Sequence, residues 1–355
     1  MKKKCAVLVS GGVDSAVALR LLQEQGYSPT AFYLKIWLED ELAYLGNCPW
    51  QEDLSYVTAV CEQAQVPLEI VSLQKEYWDE VVTDTVKHIK AGRTPNPDIL
   101  CNQRVKFGAF YKKISKEFDV VATGHYARIE NDGGTIILHM TDDPIKDQTY
   151  FLSQVSKEQL SRAVFPLGDL TKTEVRDLAR KYDLPNKDRK DSQGICFLGK
   201  LKFHDFIKHH LGEQEGHLVE VETGKQVGRH LGYWFYTIGQ RTGIGLAGGP
   251  WYVVSKEPKS NTIYISRSYY TSDKIRDSFV ISECNWLGPL TLNEPLRVKL
   301  RHGPHFNSAR LTKIGVDSYQ VRLTDRDQGI ALGQYAVFYE GTRCLGGGVI
   351  THYES

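Results

Sequence analysis

The chain has 355 residues, 41% of them apolar and 25% charged, the composition of a soluble globular protein with two or three domains. Its 44 basic and 43 acidic residues leave a formal charge of +1, so no global basic field announces a nucleic-acid partner, and any RNA contact needs a local basic surface. Seven widely spaced cysteines without a C-x-x-C pair argue against a structural zinc site or a disulfide framework.

No stretch approaches the ~18 apolar residues of a membrane span. Lys2 to Lys4 followed by Cys5–Val9 imitates a signal peptide, but the apolar run is too short and stops at Ser10-Gly11-Gly12. These features predict a cytoplasmic protein with no membrane partner.

In chain order, Cys5–Val9 is an apolar run of the buried-strand kind. Val17, Ala18, Leu21 and Leu22 form one stripe of a helix over Asp14–Gln25, with Gly26 at its C-terminal cap. Thr30–Ile36 predicts a strand, Asp53–Gln65 a helix, and Leu68–Leu73 a strand. Glu76–Lys90 and Arg104–Lys116 predict helices, and Val120–Thr123 a further strand. Strands separated by helices predict an α/β fold with a doubly wound parallel sheet.

Residues 150–210 read as mostly helical, with Thr171-Lys-Thr-Glu174 a capping box for a helix up to Tyr182. Beyond about 212 short runs recur between turn residues: His217–Val221, Tyr233–Ile238, Trp251–Ser255, Thr262–Ser266, Phe279–Cys284, Leu296–Arg301, Ala309–Ile314, Tyr319–Thr324 and Tyr335–Tyr339. They predict a small β-rich domain followed by a C-terminal β-barrel. The expected division is 1–211, 212–272 and 273–355.

Three short segments carry chemistry. Ser10-Gly-Gly-Val-Asp-Ser15 joins a predicted strand to a predicted helix. Its glycines let the backbone approach an anion, and the helix start offers free N–H groups and a positive dipole end. Ser10 and Ser15 add hydroxyls, and Asp14 is suited to hold Mg²⁺ or to position the loop. The segment is not the G-x-x-x-x-G-K-[ST] of a Walker loop. The second segment is Thr94-Pro-Asn-Pro-Asp-Ile-Leu-Cys-Asn-Gln-Arg-Val-Lys-Phe107, whose prolines are expected to keep it out of a helix. That places Asp98 and Cys101 just ahead of a helix N-terminus, which favours thiolate. The third is Gly194-Ile-Cys-Phe197, beside the basic run Lys187-Asp-Arg-Lys190. Cys101 and Cys196 therefore read as exposed thiols in electropositive settings, whereas Cys5, Cys61 and Cys284 lie in apolar runs and read as packed thiols.

SGGVDS resembles the signature of the ATP pyrophosphatases, which cleave ATP to AMP and pyrophosphate. With TPNPDILCN and GICF in this order, the chain resembles the tRNA-specific 2-thiouridylases, which thiolate the wobble uridine of certain tRNAs. Gly124-His125, Lys146-Asp-Gln-Thr-Tyr-Phe-Leu152, Thr237-Ile-Gly-Gln-Arg241 and Gly333-Gln-Tyr-Ala-Val-Phe-Tyr339 extend the likeness along the chain.

The resemblance implies an ATP site at Leu8, Val9, Ser10, Gly11, Gly12, Val13, Asp14 and Ser15, with Leu34 and Gly124. Leu34 stands where the family often has methionine, and both are apolar. It implies a target-base pocket at Asn96, Pro97 and Asp98, with Asp98 as general acid/base. It implies a persulfide on Cys196, product release by Cys101 and a transient Cys101–Cys196 disulfide, or release of the sulfur first as hydrosulfide. It implies tRNA contacts at His125, Lys146, Asp147, Gln148, Arg301, His302 and Gln334. Arg301-His302 departs from the commoner Arg-aromatic version.

The implied cofactor is ATP with Mg²⁺, with persulfide sulfur supplied in trans. The implied partners are the anticodon arm of tRNA, a cysteine desulfurase or sulfur-relay protein, and a cellular reductant. The absence of C-x-x-C pairs speaks against an iron–sulfur cluster. Two rival readings predict differently. An ATP pyrophosphatase forming a C–N bond on a small molecule gives neither cysteine a role. A non-catalytic, ATP-sensing RNA-binding protein binds tRNA without releasing AMP.

Overall fold

The computed structural model describes residues 3–36, 50–114, 117–190, 203–268, 277–327 and 329–353. Cys196 and Gly194 lie outside the described residues.

β1 (Lys4–Leu8) is buried along nearly its whole length, as a central parallel strand covered on both faces must be. It pairs in parallel with β2 (Ser28–Lys35) on one side and β4 (Val120–Ala122) on the other. β3 (Leu68–Ser72) extends the sheet beyond β2, and the two-residue β7 (Ala163–Val164) extends it beyond β4. The order β3-β2-β1-β4-β7 is the doubly wound arrangement. Its direction of winding reverses between β1 and β4, and the loops after those strands diverge there to open a crevice. Helix Val13–Glu24 lays Val13, Ala16, Val17 and Leu22 on the sheet, and helix Trp50–Ala64 adds Val57, Val60 and Cys61 to the same core.

The helix expected from Arg104 begins seven residues earlier. Asn96 caps it by accepting a hydrogen bond from the Ile99 amide at 3.2 Å, and Pro97 occupies the first helical position, where a missing N–H costs nothing. Pro97–Leu100 runs into a π-helical stretch, Cys101–Ala109, and then Phe110–Lys113. The second proline thus starts the helix, and Asp98 and Cys101 lie within it.

β5 (Arg128–Asp132) and β6 (Thr135–His139) form a hairpin across Gly133-Gly134. The small domain holds β8 (Gly216–Glu220), β9 (Gln226–His230), β10 (Tyr252–Glu257) and β11 (Thr262–Ser266) in the order β10-β11-β8-β9. Leu218, Trp251, Val253, Ile263 and Ile265 make its core. The strand expected at Tyr233–Ile238 is instead a single 3₁₀ turn, Tyr233–Phe235, after Gly232 at φ 143°.

The C-terminal unit is a closed six-stranded antiparallel barrel. β12 (Ser278–Trp286), β13 (Leu296–Lys299), β14 (Asn307–Lys313), β15 (Ser318–Leu323), β16 (Tyr335–Glu340) and β17 (Arg343–Tyr353) run in the order β12-β15-β14-β13-β16-β17, and β17 pairs back onto β12. The β5–β6 hairpin joins the barrel's sheet through β17, fixing the barrel to the α/β domain. Glycine explains why β17 escapes a reading by strand propensity. A Cβ on Gly347 would stand 1.9 Å from the Ala336 carbonyl oxygen, and one on Gly346 2.0 Å from that of Asn285. Among the described residues no helix is long and apolar enough to cross a membrane.

Candidate active site

The phosphate loop occupies the crevice end of β1. Gly11 sits at φ 79°, a conformation that disfavours a side chain, and Gly12 precedes the helix in extended conformation. Ser15 Oγ donates to the Gly12 carbonyl at 3.0 Å and accepts from the Ser10 amide at 3.2 Å, folding the loop back on the first helical turn. Asn186 Nδ2 donates to the Gly11 carbonyl at 2.9 Å. The loop therefore leads directly into a helix N-terminus at a sheet switch point, an arrangement that receives phosphate. Leu8 and Leu34 are the apolar groups beside it, the first buried and the second half-buried.

Asp14, in the first turn, accepts from Lys172 Nζ at 2.6 Å and from the Tyr126 hydroxyl at 2.9 Å, both on Oδ1. Its carboxylate ties the loop to two other elements, which is the loop-positioning option. Opposite it, Gly124, two residues beyond β4, passes so close to the helix that a Cβ would lie 2.9 Å from the Ser15 amide nitrogen. Gly124→Ala is therefore expected to push the helix start off the crevice at about 1–3 kcal/mol. The loss should appear as a weaker ATP affinity in titration calorimetry, with the far-UV spectrum unchanged.

Cys101 is 1% exposed and packs in one cluster with Leu8, Leu100 and, at its edge, Leu34. The exposed setting expected for it is corrected: the helix begins early and turns this position inward. Burial pushes Cys5 and Cys344 up to about 12 and Cys61 to about 11, so these three are protonated thiols in the core, and partial burial with the Asp317 carboxylate pushes the half-buried Cys284 up to about 12. Asp98 is half-buried in the first turn of the same helix as Cys101.

The seven residues expected to face tRNA divide. His125 and Asp147 are buried, at 8% and 1% exposure. His125 Nδ1 shares a 2.7 Å hydrogen bond with Thr123 Oγ1, and the ring packs between Phe107 and Phe165. Burial, assisted by the Lys106 charge, holds its pKa well below the usual 6.5. Asp147 pairs with Lys299 at 2.9 Å with both side chains fully buried, and also accepts from Thr149 Oγ1. Its carboxylate is spent on joining the two domains. Lys146 and Gln148 are half-buried beside it, and Gln148 accepts from the Tyr126 amide at 3.0 Å.

The barrel supplies the other three. Gln334 Nε2 donates to the Thr94 carbonyl at 2.9 Å, docking the barrel beside Asn96. His302 stacks on Phe151 with ring centroids 4.6 Å apart, and its Nε2 lies 3.1 Å from the Asp147 carbonyl. Burial lowers its pKa, partly offset by that hydrogen bond. Arg301 pairs with Asp327 at 3.0 Å, and its side chain is 54% exposed. The barrel thus brings Gln334 to the approach of the Asn96–Cys101 segment and His302 within electrostatic reach of Asp98, while Arg301 is held by Asp327 within the barrel.

The His125 environment fixes a pH dependence. An unfolded chain takes up a proton near 6.5, and the folded one resists it, so the unfolded state binds more protons as pH falls. Stability is expected to drop below pH ~6.5 by up to about 1.4 kcal/mol per pH unit from this group. Urea midpoints at pH 7.5 and 5.5 should differ by less in His125→Gln than in the wild type.

Sequence reasoning missed Tyr126, Lys172, Asp53, Asn186 and Arg189 around the loop. One signal was available for Lys172. A lysine at the first position of a helix opposes the helix dipole and asks for a nearby carboxylate.

Fold and loop together define a nucleotide-binding α/β enzyme of the phosphate-loop class with two β domains appended. Comparison with known proteins narrows this. A family described as tRNA methyl transferase HUP domain matches residues 3–200, tRNA methyl transferase PRC-barrel domain matches 204–267, and aminomethyltransferase beta-barrel domain matches 276–350. The tRNA-specific 2-thiouridylase MnmA of Parabacteroides distasonis is 46% identical over 97% of this chain and 98% of its own length. The Porphyromonas gingivalis relative of the same name is 46% identical over 98% of both. The tRNA-specific 2-thiouridylase MnmA 2 of Bacteroides fragilis is 46% identical over 97% of this chain and 99% of its own. The chain belongs to the tRNA-specific 2-thiouridylase family.

Proposed function

We propose that the protein transfers sulfur to C2 of the wobble uridine of tRNA in an ATP-dependent reaction. The observation that carries this is the convergence of two machineries on one crevice. The phosphate loop ends β1, and the helix bearing Asp98 and Cys101 packs against Leu8 of that strand.

The chemistry follows from the substrate. The C2 oxygen of uracil is a poor leaving group. Its attack on the α-phosphorus of ATP releases pyrophosphate and leaves the oxygen as an adenylate. The terminal sulfur of a Cys196 persulfide then attacks C2, and AMP departs. Cys101 thiolate attacks Cys196 Sγ, breaking the S–S bond. The electron pair leaves on the transferred sulfur as the thiocarbonyl forms, and a Cys101–Cys196 disulfide remains. A two-electron reductant reopens it. Loading of Cys196 requires a persulfide donor, the part of a cysteine desulfurase or relay protein.

The residues fit ATP: two glycines that let the backbone approach an anion, two serine hydroxyls, and a helix start. Mg²⁺ accompanying the ATP would screen its phosphates. Asp14 and Asp53 are the carboxylates at the loop, and each already holds a cation, Lys172 and Arg189. Asn96 and Pro97 shape the approach to Asp98, which exchanges the proton of the uracil. A base inside an anticodon loop must be splayed out to reach them. In this reading Arg301 and Lys146 are the cations that meet the anticodon arm, and phosphate contacts from them would hold it without reading sequence.

The test is direct. Purified protein with ATP, Mg²⁺, unmodified tRNA and a desulfurase with cysteine should yield 2-thiouridine by nucleoside analysis. Failure with sulfide, with the desulfurase and across tRNAs would sink the proposal.

A further inference from the structure

The segment Asn186–Arg189 is tied to the phosphate loop at Asn186 and braced from the helix Lys172–Lys181 by Arg176. Asn186 donates to the Gly11 carbonyl at 2.9 Å, the Arg189 amide donates to the Asn186 carbonyl at 2.9 Å, and Arg176 Nη1 donates to the Lys187 and Arg189 carbonyls at 3.1 and 2.6 Å. This anchorage does not depend on the Arg189 side chain. It nevertheless lays that side chain on the crest of the loop. A Cβ built on Gly11 would stand 2.8 Å from Arg189 Nη1.

The guanidinium rests over the Tyr56 ring, 4.8 Å from its centroid, and pairs through Nη2 with the Asp53 carboxylate. Its side chain is only 19% exposed. Asp53 stands in the first turn of the helix Trp50–Ala64, and its backbone carbonyl also faces Gly11. A cation is thus fixed against a loop whose backbone suits an anion, and a carboxylate occupies it. Asp53 engages one guanidinium nitrogen, and a planar fork of five donors can bridge phosphate oxygens with the rest.

We propose that Arg189 is a ligand of the pyrophosphate moiety, both within ATP and as it departs, and that Asp53 is a place-holder from which the guanidinium turns when phosphate enters. The inference rests on the ATP reading of the loop. It makes Arg189 a specificity residue for the triphosphate end of the nucleotide and leaves the adenosine end untouched.

Titration calorimetry with inorganic pyrophosphate and, separately, with AMP tests it on the full chain. In Arg189→Gln, pyrophosphate should bind about tenfold more weakly or worse, as loss of a charge-assisted contact requires, while AMP binds as in the wild type. Arg189→Lys should recover part of the loss. Asp53→Asn should bind pyrophosphate at least as tightly as the wild type, because the competing anion is gone. A purely structural ion pair predicts the opposite: Arg189→Gln and Asp53→Asn weaken pyrophosphate alike, and that result overturns the proposal. Equal weakening of AMP and pyrophosphate in Arg189→Gln overturns it too. A wild type that binds neither ATP nor pyrophosphate removes the ATP reading itself.

Discussion

Lys299→Met is expected to destabilise the protein by about 3–5 kcal/mol, the scale on which an uncompensated buried charge is felt. Lys299 lies on β13 and Asp147 in the α/β domain, 152 residues apart in sequence, and their side chains are 0% exposed. Among the described residues, the substitution leaves the buried Asp147 carboxylate with hydroxyl and amide partners from Thr149 alone. Lys299 also lies 4.8 Å from the centroid of Phe306 and 5.4 Å from that of Tyr339, so a methionine of similar volume keeps the packing and removes only the charge. Asp147→Leu with Lys299→Met should regain most of the loss, since an apolar pair of similar volume often matches a buried ion pair. Urea denaturation of the single and double variants reads this out. A Lys299→Met protein within about 1 kcal/mol of the wild type would mean that the pair is not dry.

Cys101→Ala is expected to reduce persulfide-dependent thiolation by roughly 10³-fold or more, the scale on which loss of a nucleophile is felt. The fold should survive. Cys101 is a small buried residue in an apolar cluster, and alanine leaves only a sulfur-sized gap. Cys61→Ala is the matched control, because burial pushes that thiol up to about 11 and no chemistry passes through it. Single-turnover thiolation with pre-loaded persulfide compares the two. Full activity in Cys101→Ala would remove Cys101 from the mechanism while leaving the function in place. AMP release without any thiolation, in the wild type as in the variant, would favour a small-molecule ligase.

The parts of the fold legible in the sequence are those set locally. Cys5–Val9, the Ser-Gly-Gly turn and the stripe Val17, Ala18, Leu21, Leu22 lie within one stretch, and strand, loop and helix follow from it. The capping box at Thr171 and Glu174 is likewise present in full. What escapes depends on contacts distant in sequence. The strand through Gly346 and Gly347 has no propensity signal, and its glycines are explained only by Asn285 and Ala336 standing against them. Asn96-Pro97 reads as a break until its capping hydrogen bond to Ile99 shows a helix start. The family resemblance sets His125 and Asp147 among the tRNA contacts, and Thr123 and Lys299 reveal where those side chains are satisfied. Arg189 reads as one charge in a basic run, and its position on Gly11 is a property of the fold.

The central claim is that the phosphate loop activates a uridine oxygen for sulfur. The most direct test counts nucleotides against product in one reaction with ATP, unmodified tRNA and a persulfide donor. One AMP and one pyrophosphate should appear for each 2-thiouridine formed, with no ADP. ADP and orthophosphate in place of AMP, or thiolation that proceeds without ATP, would contradict it.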